Sequence, residues 1–350
     1  MGADRSMRLG IIVRADNTGL GNQTYELTQM LNPHKIMIID FTSYNGNQQH
    51  FEWYAERDYT ICKGFPTDEE MNDFLEDIDV LLSCETFYND DTPTLARAKK
   101  VKTYLQYNYE LFGNLKPDKK PLADVLISPS PWMINKVHKR FANQARVLHL
   151  PPPTRPELFE KALEINTSKD HKRILHIAGK AAANDRNGTR SVIEMMKYSK
   201  ADFELVIKSQ TPLDTKNLDS RITIEIDNVK DRQDMYTGFD AMILPRRYAG
   251  LCLPMNEALL SGLPVFMTDI SPNNIILPKE WLTVSEELGL MRLAAPVIYY
   301  DIDAKKFAEN IDAYVNLNNK ASVKQQAFNI GHKSFSPATL KSKYLEILGQ

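Results

Sequence analysis

The chain has 350 residues, a length that suits two domains at the soft prior of about 150 residues each. Hydrophobic residues make up 43% and charged residues 25%, values of a globular protein that exclude disordered, collagen-like and coiled-coil readings. Lys plus Arg is 43 against Asp plus Glu 45, net −2, so the molecule as a whole is no polycation, although charge can still be segregated along it.

Cys62, Cys84 and Cys252 are far apart and form no C-x-x-C pair, which excludes a structural zinc site of four close ligands and a disulfide framework. A reducing, cytoplasmic compartment is expected. No apolar run approaches the roughly 18 residues of a membrane span, and LGIIV near the start is too short for a signal-peptide core.

In chain order, RLGIIVRA (8–15) reads as a buried strand, followed by a helix from about Asn22 to Leu31. KIMIIDF (35–41), DVLLSCE (79–85), VKTYLQY (101–107) and DVLISPS (124–130) read as further strands. Continuous apolar runs, rather than alternating ones, suit a parallel sheet covered on both faces by helices, a doubly wound α/β domain over residues 1–150. Three successive prolines in HLPPPTRP (149–156) can neither continue a helix nor donate to a central strand, so residues 151–170 read as a linker. The rhythm then restarts over residues 171–335, with strands at RILHIAG (173–179), ELVIKS (204–209), ITIEI (222–226), AMILP (241–245), PVFMTD (264–269) and APVIYYD (295–301). Residues 336–350 are expected to form a last helix that packs back on the first domain. Two such domains predict a cleft between them, with the ligand beyond the carboxyl ends of the strands.

The most informative stretch is GLCLPMNEALLSGLPVFMTDISPNN (250–274). A glycine-containing loop leads into a helix beginning near Pro254, which carries Glu257 one turn in and ends at Gly262 before a strand. Free backbone N–H groups at such a helix start suit phosphate or sugar hydroxyls, and a carboxylate one turn in can accept both hydrogen bonds of a ribose diol. An ordinary loop–helix–strand unit, with Glu257 serving the helix dipole, reads the same residues equally well.

Residues 250–269 resemble the nucleotide-sugar-binding signature of the retaining glycosyltransferases of the GT-B architecture, the glycogen-synthase-like superfamily. In that family Glu-Gly-x-Gly-x-Pro-x-x-Glu-Ala is followed by small-Gly-x-Pro-Val and Thr/Ser-Asp. TGLGNQTYELTQML (18–31), YLQYNYELF (104–112), VLISPSPWM (125–133), LHLPPPTRPELF (148–159), ILHIAGKAAANDRNGT (174–189) and MYTGFDAMILP (235–245) resemble further family segments in the same order. The resemblance implies two doubly wound Rossmann-like domains facing across a cleft. It also implies metal-independent transfer from a nucleotide sugar, UDP- or GDP-linked, to an acceptor hydroxyl with retention.

Residue by residue, Glu257 falls on the second family glutamate and is expected at the donor ribose. Gly250, Leu251, Cys252 and Leu253 are expected near the sugar and phosphates. Lys180 and Arg186 lie in the loop that supplies the family's diphosphate-binding cations, with Asn187 where its lysine usually falls. Arg246 and Arg247 are placed to compensate, although any one of these four also reads as a surface cation. Gly19, Leu20, Gly21 and Asn22 form the amino-domain loop. There are two departures: Ala249 stands where the first family glutamate would fall, and ISPNN (270–274) replaces a Gly-Gly, a variant similar to glycosyltransferases of tailed phages and some bacteria.

NTGLGN (17–22) is not a dinucleotide fingerprint, because the third glycine position is Thr24. It suits a phosphate cradle, an acceptor-side loop or a plain turn. Asp301-Ile-Asp303 has the form of a metal-binding D-x-D, but it sits between a strand and the helical stretch AKKFAENIDAYV, where Asp303 is most simply an N-cap. No metal is expected. No catalytic nucleophile stands out; Gln106, Asn108 and Glu110 near a strand's carboxyl end read either as acceptor-facing groups or as loop polars.

Charge within the first domain is uneven: residues 52–96 hold 13 Asp/Glu and 2 Lys/Arg, net −11, while residues 97–146 hold 11 Lys/Arg and 3 Asp/Glu, net +8. The basic block is interleaved with Tyr104, Tyr107, Tyr109, Phe112, Trp132 and Phe141, a pattern that suits nucleic acid through stacking and phosphate contact, or peripheral contact with an anionic membrane. Mutual compensation of the two blocks explains it equally. A hydroxymethylated base in phage DNA is the acceptor that joins this block to the ISPNN variant; a lipid or polysaccharide acceptor, or a catalytically silent sugar-nucleotide-binding protein, are the alternatives.

Overall fold

A computed structural model describes residues 6–112, 121–180, 184–214, 216–226, 229–248 and 250–349. The chain divides into two units: Met1–Thr154 with Leu293–Ala295 and Pro337–Gln350, and Arg155–Arg292 with Pro296–Ser336.

In the first unit the apolar runs become strands β1 (Leu9–Val13), β2 (Lys35–Asp40), β3 (Tyr59–Lys63), β4 (Val80–Cys84), β5 (Lys102–Gln106), β6 (Val125–Ser128) and β7 (Arg146–His149). They form one parallel sheet in the order β3-β2-β1-β4-β5-β6-β7. β1 and β4 are buried along their whole length, which is why LGIIV and VLLSC show no alternation. The two edge strands escape the sequence reading: β3 and β7 face water on much of their length, so TICK and RVLH carry no continuous apolar run. The direction of winding reverses between β1 and β4, the place where open α/β sheets form a crevice at their carboxyl edge.

The Pro337–Leu348 helix belongs to this first unit. The buried Gln106 amide donates to the Leu150 carbonyl at 2.8 Å and to the Tyr344 oxygen at 3.0 Å, and it accepts from Gln23 at 2.7 Å. The Tyr344 hydroxyl in turn donates to the Pro151 carbonyl at 2.8 Å. Gln106 is therefore fully engaged in tying β5 to the linker and the last helix, and is not an acceptor-facing group.

The second unit contains β8 (Arg173–Gly179), β9 (Glu204–Ser209), β10 (Ile222–Ile226), β11 (Ala241–Leu244), β12 (Val265–Thr268) and β13 (Leu282–Thr283), parallel in the order β10-β9-β8-β11-β12-β13. Residues 295–301 do not add to this sheet. β14 (Ser285–Arg292) and β15 (Pro296–Ile302) pair antiparallel as a separate hairpin, in which no residue of β14 and only Val297 and Ile302 of β15 are buried. Lys324 and Asp240 form a fully buried ion pair at 2.7 Å. The remaining valences are filled, Lys324 donating to the Asn166 carbonyl and Asp240 accepting from the His171 and Lys172 amides, as a desolvated charge pair requires. Among the described residues no helix is long and apolar enough to cross a membrane.

Candidate functional site

The chain leaves β11 through Pro245, Arg246, Arg247 and Tyr248, crosses the Gly250–Cys252 loop and enters the Leu253–Leu260 helix, which delivers it to β12. Ala249 lies outside the described residues. Pro254 suits the helix's first turn because the N–H it lacks would be unpaired there. The amides of Leu251, Cys252 and Leu253 meet no acceptor among the described residues, leaving three donors at the helix entrance.

Glu257 sits one turn into this helix with its side chain 10% exposed. Oε2 accepts from the Tyr236 hydroxyl at 2.6 Å, and Oε1 pairs with Arg232. Burial, and then the adjacent Glu257 carboxylate, hold the Tyr236 hydroxyl well above its ordinary pKa, so it remains a donor. The Arg232 guanidinium lies 5.7 Å over the Phe159 ring. Glu257 is thus oriented by two partners, and each carboxylate oxygen keeps a lone pair for a further donor. Tyr236 and Arg232 were not legible as site residues: they lie 21 and 25 residues upstream of Glu257, with no spacing rule to join them to it.

The four expected cations have different surroundings. Lys180 is exposed at the carboxyl end of β8. The Arg186 guanidinium lies 4.8 Å over the Tyr248 ring. Gly188 packs this loop onto the end of β11: with φ at 72° and a Cβ position 2.2 Å from the Pro245 carbonyl oxygen, no other residue fits. Arg247 is committed elsewhere, its Nε to Asp301 at 2.7 Å and its Nη1 to the Asn184 carbonyl at 2.9 Å, with the Tyr299 ring alongside. Arg246 differs from all of these. It is buried, donates through Nη1 to the Leu251 carbonyl at 3.2 Å and, among the described residues, has no partner for Nε and pairs with no carboxylate.

Asp301 is therefore the counter-ion of Arg247, and Asp303 caps the Ala304–Val315 helix by accepting from the Lys306 amide at 3.0 Å. The D-x-D is structural. Among the described residues there is no group of three or more His, Cys, Asp and Glu side chains arranged to hold a metal ion.

Gly19, Leu20, Gly21 and Asn22 are the first turn of the Gly19–Leu31 helix rather than a loop. The Gly21 amide donates to Thr18 Oγ1 at 3.1 Å and the Asn22 amide to the Thr18 carbonyl at 3.0 Å, so these donors are spent on the cap. Gly21 is needed for close approach, a Cβ there lying 1.9 Å from the Asp16 carbonyl oxygen.

The aromatics of the basic segment 97–146 do not form a stacking surface. Tyr104, Tyr107, Phe112, Trp132 and Phe141 are buried in the first unit, and the half-buried Tyr109 packs edge-on against Trp132. Lys99 pairs with Glu76 of the acidic block and Arg97 with Asp124 at 3.3 Å.

No protein-family profile matches the sequence, and no curated protein matches it significantly. Solved structures do match its fold. HepE of Anabaena, crystallised with UDP, superposes with a TM-score of 0.67 at 10% identity, over 98% of this chain and 99% of that one. The sucrose-phosphate synthase of Thermosynechococcus elongatus gives 0.67 at 12% identity, over 97% and 98%. The lipopolysaccharide outer core galactosyltransferase WaaB gives 0.61 at 10% identity, over 98% and 99%. With two parallel α/β units of seven and six strands, the chain has the GT-B fold of these glycosyltransferases.

Proposed function

We propose that the chain is a glycosyltransferase that moves a sugar from a UDP- or GDP-sugar to an acceptor hydroxyl, with retention and without a metal. The observation that carries this reading is the grouping at the carboxyl end of β11: a pre-oriented Glu257 carboxylate, three amides at 251–253 that meet no acceptor among the described residues, and the buried Arg246, which meets no carboxylate among them. HepE has been solved with UDP and with UDP-glucose, which supports a nucleotide-sugar donor for this fold.

In this reading Glu257 accepts from the ribose diol, and the Gly250–Leu253 loop lies at the sugar and phosphates. Arg246 meets the diphosphate, joined by Lys180 and Arg186, while Arg247 holds the segment through Asp301. A departing nucleoside diphosphate gains negative charge as the glycosidic bond breaks. Fixed cations and amides in a dry site stabilise that charge without reorganising, and an Arg fork can bind phosphate oxygens bidentately. The acceptor hydroxyl attacks the same face that the diphosphate leaves.

A hydroxymethylated base in DNA is one acceptor class, raised by the basic segment 97–146. Burial of five of that segment's six named aromatics, with Tyr109 packed against Trp132, leaves phosphate contact as its main remaining basis.

The test is calorimetric titration of the full chain with UDP, GDP and their sugar conjugates, followed by mass analysis of acceptor mixtures that include hydroxymethylated DNA. Binding of one nucleotide and its sugar, with mass gained by an acceptor, is expected. Binding with neither transfer nor hydrolysis would make the chain a silent sugar-nucleotide binder. No binding at all would remove the donor site.

A further inference from the structure

The parallel sheet of the first unit brings a second set of residues to one edge. Arg14 follows β1, Phe41 follows β2, Phe65 comes two residues after β3, Glu85 follows β4 and Asn108 comes two residues after β5. All lie at the carboxyl edge, around the point where the winding reverses between β1 and β4.

One half of this edge is polar. Glu85 is a non-glycine residue at φ 64°, and its amide donates to the Gln106 carbonyl at 2.8 Å. Its carboxyl group has Asn108 as a polar neighbour and Glu110 and Arg14 as charged ones. Burial and Glu110 raise its pKa above the usual carboxylate range, against the opposing effects of Asn108 and Arg14. Arg14 is 8% exposed and pairs with Asp16, but its Nε has no partner among the described residues.

The other half is aromatic. The Phe41 ring lies 5.2 Å from Tyr44, 4.9 Å from Phe65 and 5.6 Å from Tyr88, with the Arg14 guanidinium 4.8 Å over it. Tyr44 is 67% exposed and Phe65 59% exposed. Tyr88 joins the halves, its ring against Phe41 and its hydroxyl beside Arg14. Two ring faces left in water beside half-buried carboxyl and amide groups and a buried guanidinium are unusual for side chains whose burial is strongly favourable.

We infer that this edge is a binding site for an uncharged saccharide, with Tyr44 and Phe65 stacking on the apolar face of a sugar ring and Glu85, Asn108 and Arg14 taking its hydroxyls. Carboxylates accept only, guanidinium donates only and an amide does both, which suits the alternating needs of a polyol. Nucleobases would also stack on such rings, but they bring phosphates. Residues 52–96, which supply Phe65, Glu85 and Tyr88, carry net −11, and Asp16, Asp40 and Glu110 add further carboxyl groups at this edge, a field that repels phosphate. If the chain transfers sugar as proposed above, the bound saccharide is its acceptor; the binding itself does not depend on that reading.

The experiment titrates the full chain, without nucleotide, against a panel of uncharged methyl glycosides and oligosaccharides, read by calorimetry and saturation-transfer NMR. At least one should bind. Phe65→Ser, Tyr44→Ser and Glu85→Gln should each weaken it about tenfold, the scale of one lost ring or charged hydrogen bond, while leaving the thermal midpoint and UDP binding as they were. Absence of binding across the panel into the millimolar range would overturn the inference, as would equal binding by all three variants. So would a single-stranded oligonucleotide that binds more tightly and is lost with Phe65→Ser. UDP titrated into the same samples reports the donor site separately, so failure of either site is seen by itself.

Discussion

The Tyr236 hydroxyl donates to Glu257 across 2.6 Å, linking the residue group just before β11 to the helix just after it. The bond closes the strand–loop–helix unit on itself and fixes the carboxylate before any ligand arrives. Tyr236→Phe removes the hydroxyl and leaves Arg232 as the remaining partner. A hydrogen bond to a charged group is worth about 1.5–3 kcal/mol, so the thermal midpoint should fall by several degrees. Nucleoside affinity should weaken with it, as Glu257 loses its orientation. Unchanged affinity alongside a lowered midpoint would make Tyr236 structural only.

Glu257→Ala goes further, because it removes the carboxylate from both Tyr236 and Arg232. The donor KM should rise by about tenfold or more, the cost of one or more charged hydrogen bonds. The same variant should weaken uridine or guanosine about as much as the corresponding diphosphate, since the contact is to ribose. A donor KM equal to that of the parent chain would sink the ribose assignment.

His176 gives a pH dependence with a definite sign. It is fully buried on β8, Nδ1 donating to the Ile243 carbonyl and Nε2 accepting from the Thr189 hydroxyl, both at 2.9 Å. A carbonyl only accepts, which fixes the neutral tautomer. Burial lowers the folded pKa from 6.5 to about 4. As pH falls the unfolded chain takes up this proton first, so the contribution is complete above about pH 6.5 and is lost progressively toward pH 4. The full effect is on the order of 3 kcal/mol. His176→Gln should flatten the pH dependence of the thermal midpoint between pH 6.5 and 4. A slope equal to that of the parent would refute it.

How much of this was visible in the sequence depends on locality. Glu257, Arg246 and the 250–253 loop could be read together as one candidate site because one short segment holds the loop, the helix start and the carboxylate. The central strands were legible because burial on both faces writes continuous apolar runs, whereas β3 and β7 at the edges write none. Gln106 resembled a site residue because it ends a strand, yet its polar atoms are spent on Leu150, Tyr344 and Gln23. Tyr44, Phe65 and Glu85 had no shared signal at all: they meet only because parallel strands end at one edge.

Gly188 and Gly21 serve packing, and both should prove intolerant. Gly188→Ala places a methyl group 2.2 Å from the Pro245 oxygen at a positive φ, and Gly21→Ala places one 1.9 Å from the Asp16 oxygen. Neither neighbour is a flexible side chain, so backbone must move, at a cost of about 2–4 kcal/mol each. Thermal unfolding should show midpoints lower by roughly 5–15 °C. Gly46, whose added Cβ would meet nothing within 4 Å but which also has positive φ, separates the two causes: Gly46→Ala should cost only about 1 kcal/mol, the price of strain without a clash. Equal losses at Gly188 and Gly46 would assign the Gly188 effect to φ alone, whereas Gly21, with an ordinary helical φ, reports the clash by itself.

Arg246 is the residue whose role is most exposed to test, because nothing within the described protein explains a buried guanidinium without a carboxylate. If it awaits a diphosphate, Arg246→Gln should weaken UDP or GDP by about tenfold or more while leaving the free nucleoside nearly unchanged, the opposite of the pattern expected for Glu257→Ala. Removing an uncompensated buried charge should also leave the unliganded chain at least as stable as the parent. Nucleotide-induced stabilisation should shrink at the same time. Arg246→Lys keeps the charge but not the planar fork, so it should recover only part of the diphosphate affinity. Equal loss of nucleoside and diphosphate would mean that Arg246 shapes the Leu251 loop through its carbonyl contact rather than meeting phosphate.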